Sequence, residues 1–456
     1  MAEATVRFQR TPAARPTPEE LDLYAARRAR VLERLGEDGV LVIPAAPEVR
    51  AGRDLELRYR PDPDLYYLTG YVEPEAVLVL APGHADGAFT LFVRPRDPER
   101  ERWTGVRGGP EAARDLYRAD AAYPLSELEQ RLPALLRARE TVYCALDSGA
   151  DGVDAIVREA LRHGRATRQR SGRGPRFLAD PGVLLDELRI RKDPRELELL
   201  RDAARITVEA FLDAAPLIAP GAGEWEVEAA LEAAFRRRGA DGPGFGTIVA
   251  SGANATVLHY IANDRRMAAG DLLLIDAGAR YCGYNADISR TFPVSGRFSP
   301  PQRELYDAVL EAHGRALDAV RPGATTAHVH QAALRALVEA MVAFGLLDGD
   351  VDGLIEQEKY RPFYPHQTSH WLGLDVHDVG DYAVRGEPRA LEPGMVLTIE
   401  PGLYVPADAE AAPAELRGVG IRIEDDVAVT EDGREVLTAA MPAAAERIEA
   451  LPRRNG

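Results

Sequence analysis

Cysteine is almost missing from this chain. Cys144 and Cys282 are its only two, far apart and in no CxxC pair, which excludes a disulfide framework and leads us to expect a reducing, cytoplasmic setting. So few thiols also exclude a thiolate-built structural zinc site. Basic residues are outnumbered, 56 Lys and Arg against 73 Asp and Glu, for a net charge of −17; a nucleic-acid partner would need a basic stripe instead. No apolar run reaches membrane-spanning length, and the opening MAEATVRFQRTPAARPTPEE lacks the apolar core of a secretion signal, so no membrane partner is expected. What is present, 46% hydrophobic and 28% charged residues, is ordinary for a globular enzyme of about two or three domains.

Helical LDLYAARRARVLERLG is followed by the short apolar segments GVLVIPAAP, LYYLTGY, EAVLVLAPG and FTLFVRP, read as strands, then helical LSELEQRLPALLRAR and the strand TVYCALD. Such alternation predicts an α/β domain over 21–180, after a flexible tail at 1–20. The basic segment RHGRATRQRSGRGPRFLADPG reads as a linker or domain-edge loop whose arginines face solvent. Over 181–456, four helical stretches alternate with apolar strands, among them TVLHY, LLLIDAG, HWLGLDVHDVG, VLTIEPGLYV and GIRIEDDVAVT. Helices on one side of a mostly antiparallel, curved sheet would make this an α+β domain.

Five residues in that second domain stand where a charge is costly to bury unpaired: Asp276, Asp287, His370, Glu400 and Glu424. Four carboxylates pointing into one interior repel one another, and two divalent cations would cancel them. A dinuclear hydrolase centre, which acidifies a bridging water and presents hydroxide to a carbonyl, explains the set economically. One imidazole among four carboxylates is a hard, oxygen-rich donor set that suits Mn²⁺ or Mg²⁺ and can take Co²⁺, Zn²⁺ or Fe²⁺.

An internal repeat points the same way. Gly270 and Gly394 precede Asp276 and Glu400 by six residues, with an apolar run between, and Gly278 and Gly402 follow two beyond. Each half then adds a second acidic strand, around Asp287 and around Glu424. Chance or duplication could produce one such match; duplication would set two half-sites across a pseudo-twofold axis. A strand period of two places Arg422 on the face of Glu424, either as a donor orienting a ligand or as half of a structural ion pair. Of nine histidines, His366, His370 and His377 fall close together, and His259 lies in TVLHY. His370 and His377 would face opposite ways along a regular strand, so both can point inward only if the chain bends at Gly373. His84, His163, His313, His328 and His330 read as surface or packing residues.

These five candidate ligands, in this order, resemble the site of the pita-bread (M24-type) metallopeptidases. HWLGLDVHDVG, LTIEPGLY and GIRIEDD are most similar to the aminopeptidase P group, and AAPEVRAGRDLELRYRPDPDLYYLTGYVEPEAVLVL to that group's N-terminal domain. The resemblance implies an Xaa-Pro aminopeptidase acting on peptides with proline second, with a pseudo-twofold curved antiparallel sheet, two metals (usually manganese) and a homodimer or homotetramer. It also implies roles. Asp287 and Glu424 would bridge the metals, Asp276 would serve one, and His370 and Glu400 the other, with Glu400 also as general base. His259 and His377 would lie beside the scissile carbonyl, His366, Arg422 and Tyr404 around the prolyl residue, and Asp54 and Trp103 at an active site within the oligomer. Gln367, where a small residue is usual, and Phe245, where some relatives carry tyrosine, depart from the pattern. Prolidase, with the same chemistry on dipeptides, and a non-catalytic binding protein of the same fold are the alternative readings.

Overall fold

The computed structural model describes residues 16–53, 55–146 and 152–452. It divides into two compact units, one ending at Leu188 and the other starting at Arg189. No helix among the described residues is long and apolar enough to cross a membrane.

The N-terminal unit opens with α1 (Pro18–Leu35), whose start is fixed by Pro18 and by a reciprocal cap in which Thr17 and Glu20 accept each other's backbone N–H. Strands β1 (Gly39–Pro44), β2 (Val77–Leu80), β3 (Phe89–Val93), β4 (Ala121–Pro124), β5 (Thr141–Tyr143) and β6 (Phe177–Ala179) form one mixed sheet in the order β4-β3-β2-β1-β5-β6. Helices α2 (Leu128–Arg137) and α3 (Val153–Ser171) pack apolar stripes against it, Leu132 and Leu136 meeting Val40, Val79 and Val142. Two expectations change. LYYLT is part of a helix, Pro63–Thr69, because Asp62 caps the Leu65 N–H and Gly70 ends it in the left-handed region. The basic stretch expected as a loop is helical through Ser171.

The second unit starts α4 (Pro194–Ala214) with a capping box, Asp193 and Glu196, and packs it on α5 (Glu224–Arg237). Strands β7 (Ile248–Ser251), β8 (Leu272–Ala277) and β9 (Ile288–Pro293) follow as an antiparallel ladder with β8 in the middle. A second helix pair, α6 (Pro300–Ala319) and α7 (Thr326–Ala343), precedes β10 (Val396–Ile399), β11 (Gly402–Val405), β12 (Val419–Arg422), β13 (Asp425–Val429) and β14 (Arg434–Val436). Strand β10 pairs with β13, β11 with β12, and every strand pairing in this unit is antiparallel among the described residues. Each half is thus a helix pair followed by antiparallel strands, as the repeat suggested. Within that antiparallel arrangement the strands pair as a series of short ladders.

Those interruptions position the acidic residues. Ile399 pairs with Asp425 and Gly402 with Arg422, so Glu400 and Glu424 lie in the same gap between two ladders. Pro401 supports the break because it has no N–H to give the ladder. Asp287 occupies a corresponding gap: Ile288 pairs with Ala277 and Asn285 with Arg280, leaving Ala286 and Asp287 opposite Gly278 and Ala279 between the two ladders. A Cβ on Gly278 would stand 1.6 Å from the Ala286 carbonyl oxygen. Gly278→Ala is therefore expected to destabilise this unit by about 1–3 kcal/mol. It should also weaken cation retention by parting Asp276 from Asp287. Thermal midpoint and metal content of the purified variant check both, and wild-type values for both would refute the crowding.

Candidate metal centre

Asp276, Asp287, His370, Glu400 and Glu424 all line one cavity of about 870 Å³. Ligand atoms of Asp287, His370 and Glu424 lie within 4.8 Å of one another. His370 Nε2 is 3.5 Å from Asp287 Oδ2 and 3.7 Å from Glu400 Oε1. Backbone contacts hold these groups in place. Glu424 N–H donates to the Ser289 carbonyl at 3.0 Å, and Asp287 N–H to both oxygens of Asp426 at 3.1 and 3.2 Å. Ser289 Oγ donates to Glu424 Oε2 at 2.7 Å.

The electrostatics of this cluster call for cations. Burial pushes the Glu424 and Asp287 carboxyls well up, each helped by neighbouring carboxylates. Glu400 is pushed up to about 8, burial and the charge of Asp276 outweighing Arg422. Among the described residues Arg422 is the only lysine or arginine in the cavity wall. Its Nη2 donates to Asp276 Oδ2 at 2.6 Å, its Nε to Ser289 Oγ at 2.8 Å and its Nη1 to Tyr404 OH at 3.0 Å. One guanidinium cannot neutralise four carboxylates. Asp276 Oδ1 and Asp287 Oδ1 are buried and accept no hydrogen bond, the arrangement left when a lone pair is kept for a metal. The donor set therefore fits divalent cations.

The histidines are prepared as neutral bases. Burial holds His370 down to about 4 and His366 down to about 3. His370 Nδ1–H donates to the Trp371 carbonyl at 3.0 Å, which leaves the Nε2 lone pair facing Asp287 and Glu400. Around His366 a directed chain forms: Arg422 donates to Tyr404 OH, Tyr404 OH to His366 Nε2 at 2.9 Å, and His366 Nδ1–H to the Gln367 carbonyl at 2.8 Å.

His377 joins the cavity wall with its ring 4.3 Å from that of His370. The expected strand HWLGLDVHD is a single bridge at Trp371 followed by a loop, so the bend at Gly373 does occur. His259 also lines the cavity, from an exposed turn instead of the expected strand, since Gly252–Thr256 is a 3₁₀ turn and the chain beyond it is irregular. Gln367 and Phe245 lie in the same wall. Trp103 sits on helix Pro98–Thr104 of the N-terminal unit, 89% exposed, and Asp54 lies outside the described residues. Sequence reasoning missed His330, which lines the cavity and bonds Thr368 Oγ1 through Nδ1 at 2.9 Å; its place on α7 gave no signal. It missed Asp426 too, although its spacing of two from Glu424 was available.

Residues 198–431 match metallopeptidase family M24, and residues 24–143 match the aminopeptidase P N-terminal domain. The chain belongs to metallopeptidase family M24. It is 44% identical to the Xaa-Pro aminopeptidase of Escherichia coli over 94% of its length and 97% of that protein's. The corresponding Haemophilus influenzae enzyme is 38% identical over 94% and 96%. The structure of Pseudomonas aeruginosa aminopeptidase PepP superposes with a TM-score of 0.91 at 44% identity, covering 96% of this chain and 98% of that one. A zinc-substituted E. coli aminopeptidase P in complex with product superposes at 0.89, with 44% identity and coverage of 94% and 98%. The M24 unit with its aminopeptidase P N-terminal domain is the pita-bread architecture expected from the motifs, and it marks the chain as a hydrolase.

Proposed function

We propose that the protein is an Xaa-Pro aminopeptidase, releasing the N-terminal residue that precedes proline. One observation carries this reading: four carboxylates and a neutral imidazole share one cavity, in a chain 44% identical over nearly its full length to an Xaa-Pro aminopeptidase. Asp276, Asp287, His370, Glu400 and Glu424 would hold two divalent cations, which would supply Lewis acidity and a water acidified for attack. Glu400 takes the proton of the attacking water. A prolyl nitrogen must be protonated to leave, so that proton is then delivered to it. His377 and His259 donate to the carbonyl oxygen as negative charge develops there. His366 and Arg422 form a preorganised wall for the proline ring, with buried Tyr404 behind them tying the two in one hydrogen-bonded chain. The bond before proline has no N–H to grip and a ring with fixed φ, so shape and the carbonyl must serve for recognition.

Manganese as the native metal rests on the hard donor set, with cobalt or zinc as substitutes. Cytoplasmic location, a homodimer or homotetramer, and Asp54 and Trp103 as substrate-binding residues within that oligomer rest on the family resemblance. A boundary near residue 180 between the two domains rests on the basic, Gly- and Pro-bearing segment before it.

Metal-stripped protein given back Mn²⁺, Co²⁺ or Zn²⁺ and assayed on Xaa-Pro-Xaa and Xaa-Pro tests the reading. Faster cleavage of the tripeptide supports it; equal or faster cleavage of the dipeptide would make the protein a prolidase. His377→Ala is expected to lower kcat by about 100- to 1,000-fold with both cations retained. Loss of the cations in that variant would move His377 into the ligand set.

A further inference from the structure

We infer that Asp378, clamped between Lys192 and Arg189, is a positioning residue that sets His377 over the metal centre. The inference rests on the proposed function, in which His377 donates to the substrate carbonyl.

After pairing with Leu397, Trp371 hands the chain to a loop that turns back on itself. Gly373 N–H donates to the Asp375 carbonyl at 3.0 Å, and Asp378 N–H to the Trp371 carbonyl at 2.9 Å, so the loop closes over residues 371–378. Only this reversal brings the His377 ring onto His370. The Asp378 side chain lies beneath the loop, 2% exposed, and accepts from Lys192 Nζ at 2.9 Å and Arg189 Nη2 at 2.6 Å. Both cationic side chains are buried as well, at 1% and 3% exposure. The same Arg189 nitrogen reaches Asp375 Oδ2 at 3.0 Å, so it grips the loop at two points. A Cβ on Gly373 would stand 2.1 Å from Asp378 Oδ2; the carboxylate sits directly against the turn.

Two anchors connect this clamp to the metal strands. Asn285, two residues before Asp287, donates from Nδ2 to the carbonyls of Gly373 at 3.0 Å and Leu374 at 2.9 Å. Lys192 N–H donates to the Gly394 carbonyl at 2.8 Å, just before β10. Two cations buried on one buried carboxylate, with the partly exposed Asp375 beside them, add little net stability over apolar residues of similar shape. Their value here is geometric: a loop fixed at Asn285, Lys192 and Arg189 offers His377 one position. A displacement of about 1 Å of such a group can cost on the order of 100-fold in rate.

The test uses the manganese-loaded full chain with Asp378→Asn and Lys192→Met, each alone and combined with His377→Ala. We expect each single variant to lose about 10- to 100-fold in kcat. KM should stay within roughly twofold, with the metal content of wild type. In the His377→Ala background neither should cause further loss, Lys192→Arg should restore most of kcat, and a crystal structure of Asp378→Asn should show the His377 ring displaced from His370. Losses that multiply with His377→Ala, an unchanged kcat or an unmoved ring would each overturn the inference. If Asp378→Asn does not fold, Lys192→Met carries the same expectations; if neither folds, the clamp is only a stability element and the inference falls. Should His377→Ala keep full turnover, the catalytic reading of His377 fails, and the ring position alone decides whether Asp378 places it.

Discussion

Asp287→Ala is expected to abolish turnover and to lower bound metal below that of wild type. Asp287 is 5% exposed, and its backbone N–H is pinned by Asp426. Its Oδ2 faces His370, while its Oδ1 accepts nothing from the protein. Losing a partner outside the ligand set typically costs about 10- to 100-fold, so losing a proposed ligand should cost more than about 100-fold. The variant also separates a ligand from a structural acid. Removing one of four acids crowded into a buried site relieves the metal-free protein, so its thermal midpoint should match or exceed that of metal-free wild type. With Mn²⁺ added, the order should reverse, because the wild type gains more from the cation. Full activity in Asp287→Ala, or in metal-free wild type, would sink the dinuclear mechanism.

Metal-free protein is expected to lose stability as pH rises from 6.5 to 8, and added Mn²⁺ to stabilise it most at the upper end. The sign follows from protons bound. Buried Asp287 and Glu424 have raised affinities and Glu400 holds its proton up to about 8, while the unfolded chain has released all three near its ordinary carboxylate values. Folded protein therefore binds more protons than unfolded, and stability falls with pH until Glu400 has titrated. His366 and His370, held down to about 3 and about 4, act oppositely but only below the ordinary histidine value of about 6.5. The window above 6.5 thus belongs to the carboxyls. Each one titrating across it contributes about 2 kcal/mol, a fall in thermal midpoint on the order of 5 °C. Cation binding must expel the same protons, so affinity should rise over the same range. Thermal melts at pH 6.5, 7.2 and 8.0, with and without Mn²⁺, measure both trends. A midpoint that is flat or rising without metal would mean that the carboxylates are not crowded.

The five acidic and histidine positions were legible because each is a charge inside an otherwise apolar segment, a pattern that needs no neighbours to be noticed. The repeat around Asp276 and Glu400 was legible for the same reason: apolar runs and glycines recur at fixed spacing. The caps at Thr17 and Asp193 that start two helices are local too, but the sequence pattern alone had not singled them out. Local pattern misled where a short apolar stretch fits either structure, as in LYYLT, which Asp62 and Gly70 turn into a helix, and in TVLHY, where the chain leaves the sheet before His259.

By itself, then, the sequence determined the chemical class: four acids and an imidazole that only cations can reconcile, carried on alternating helices and strands. Tertiary structure decided where those groups point. Glu400 and Glu424 share a site because two ladders are interrupted at the same level, a register between segments that neither segment encodes alone. His377 reaches His370 because a carboxylate under the loop finds two cations nearly two hundred residues earlier in the chain. Burial then raises the carboxyls and neutralises the imidazoles, and burial is a property of the assembled interior, not of any residue in it.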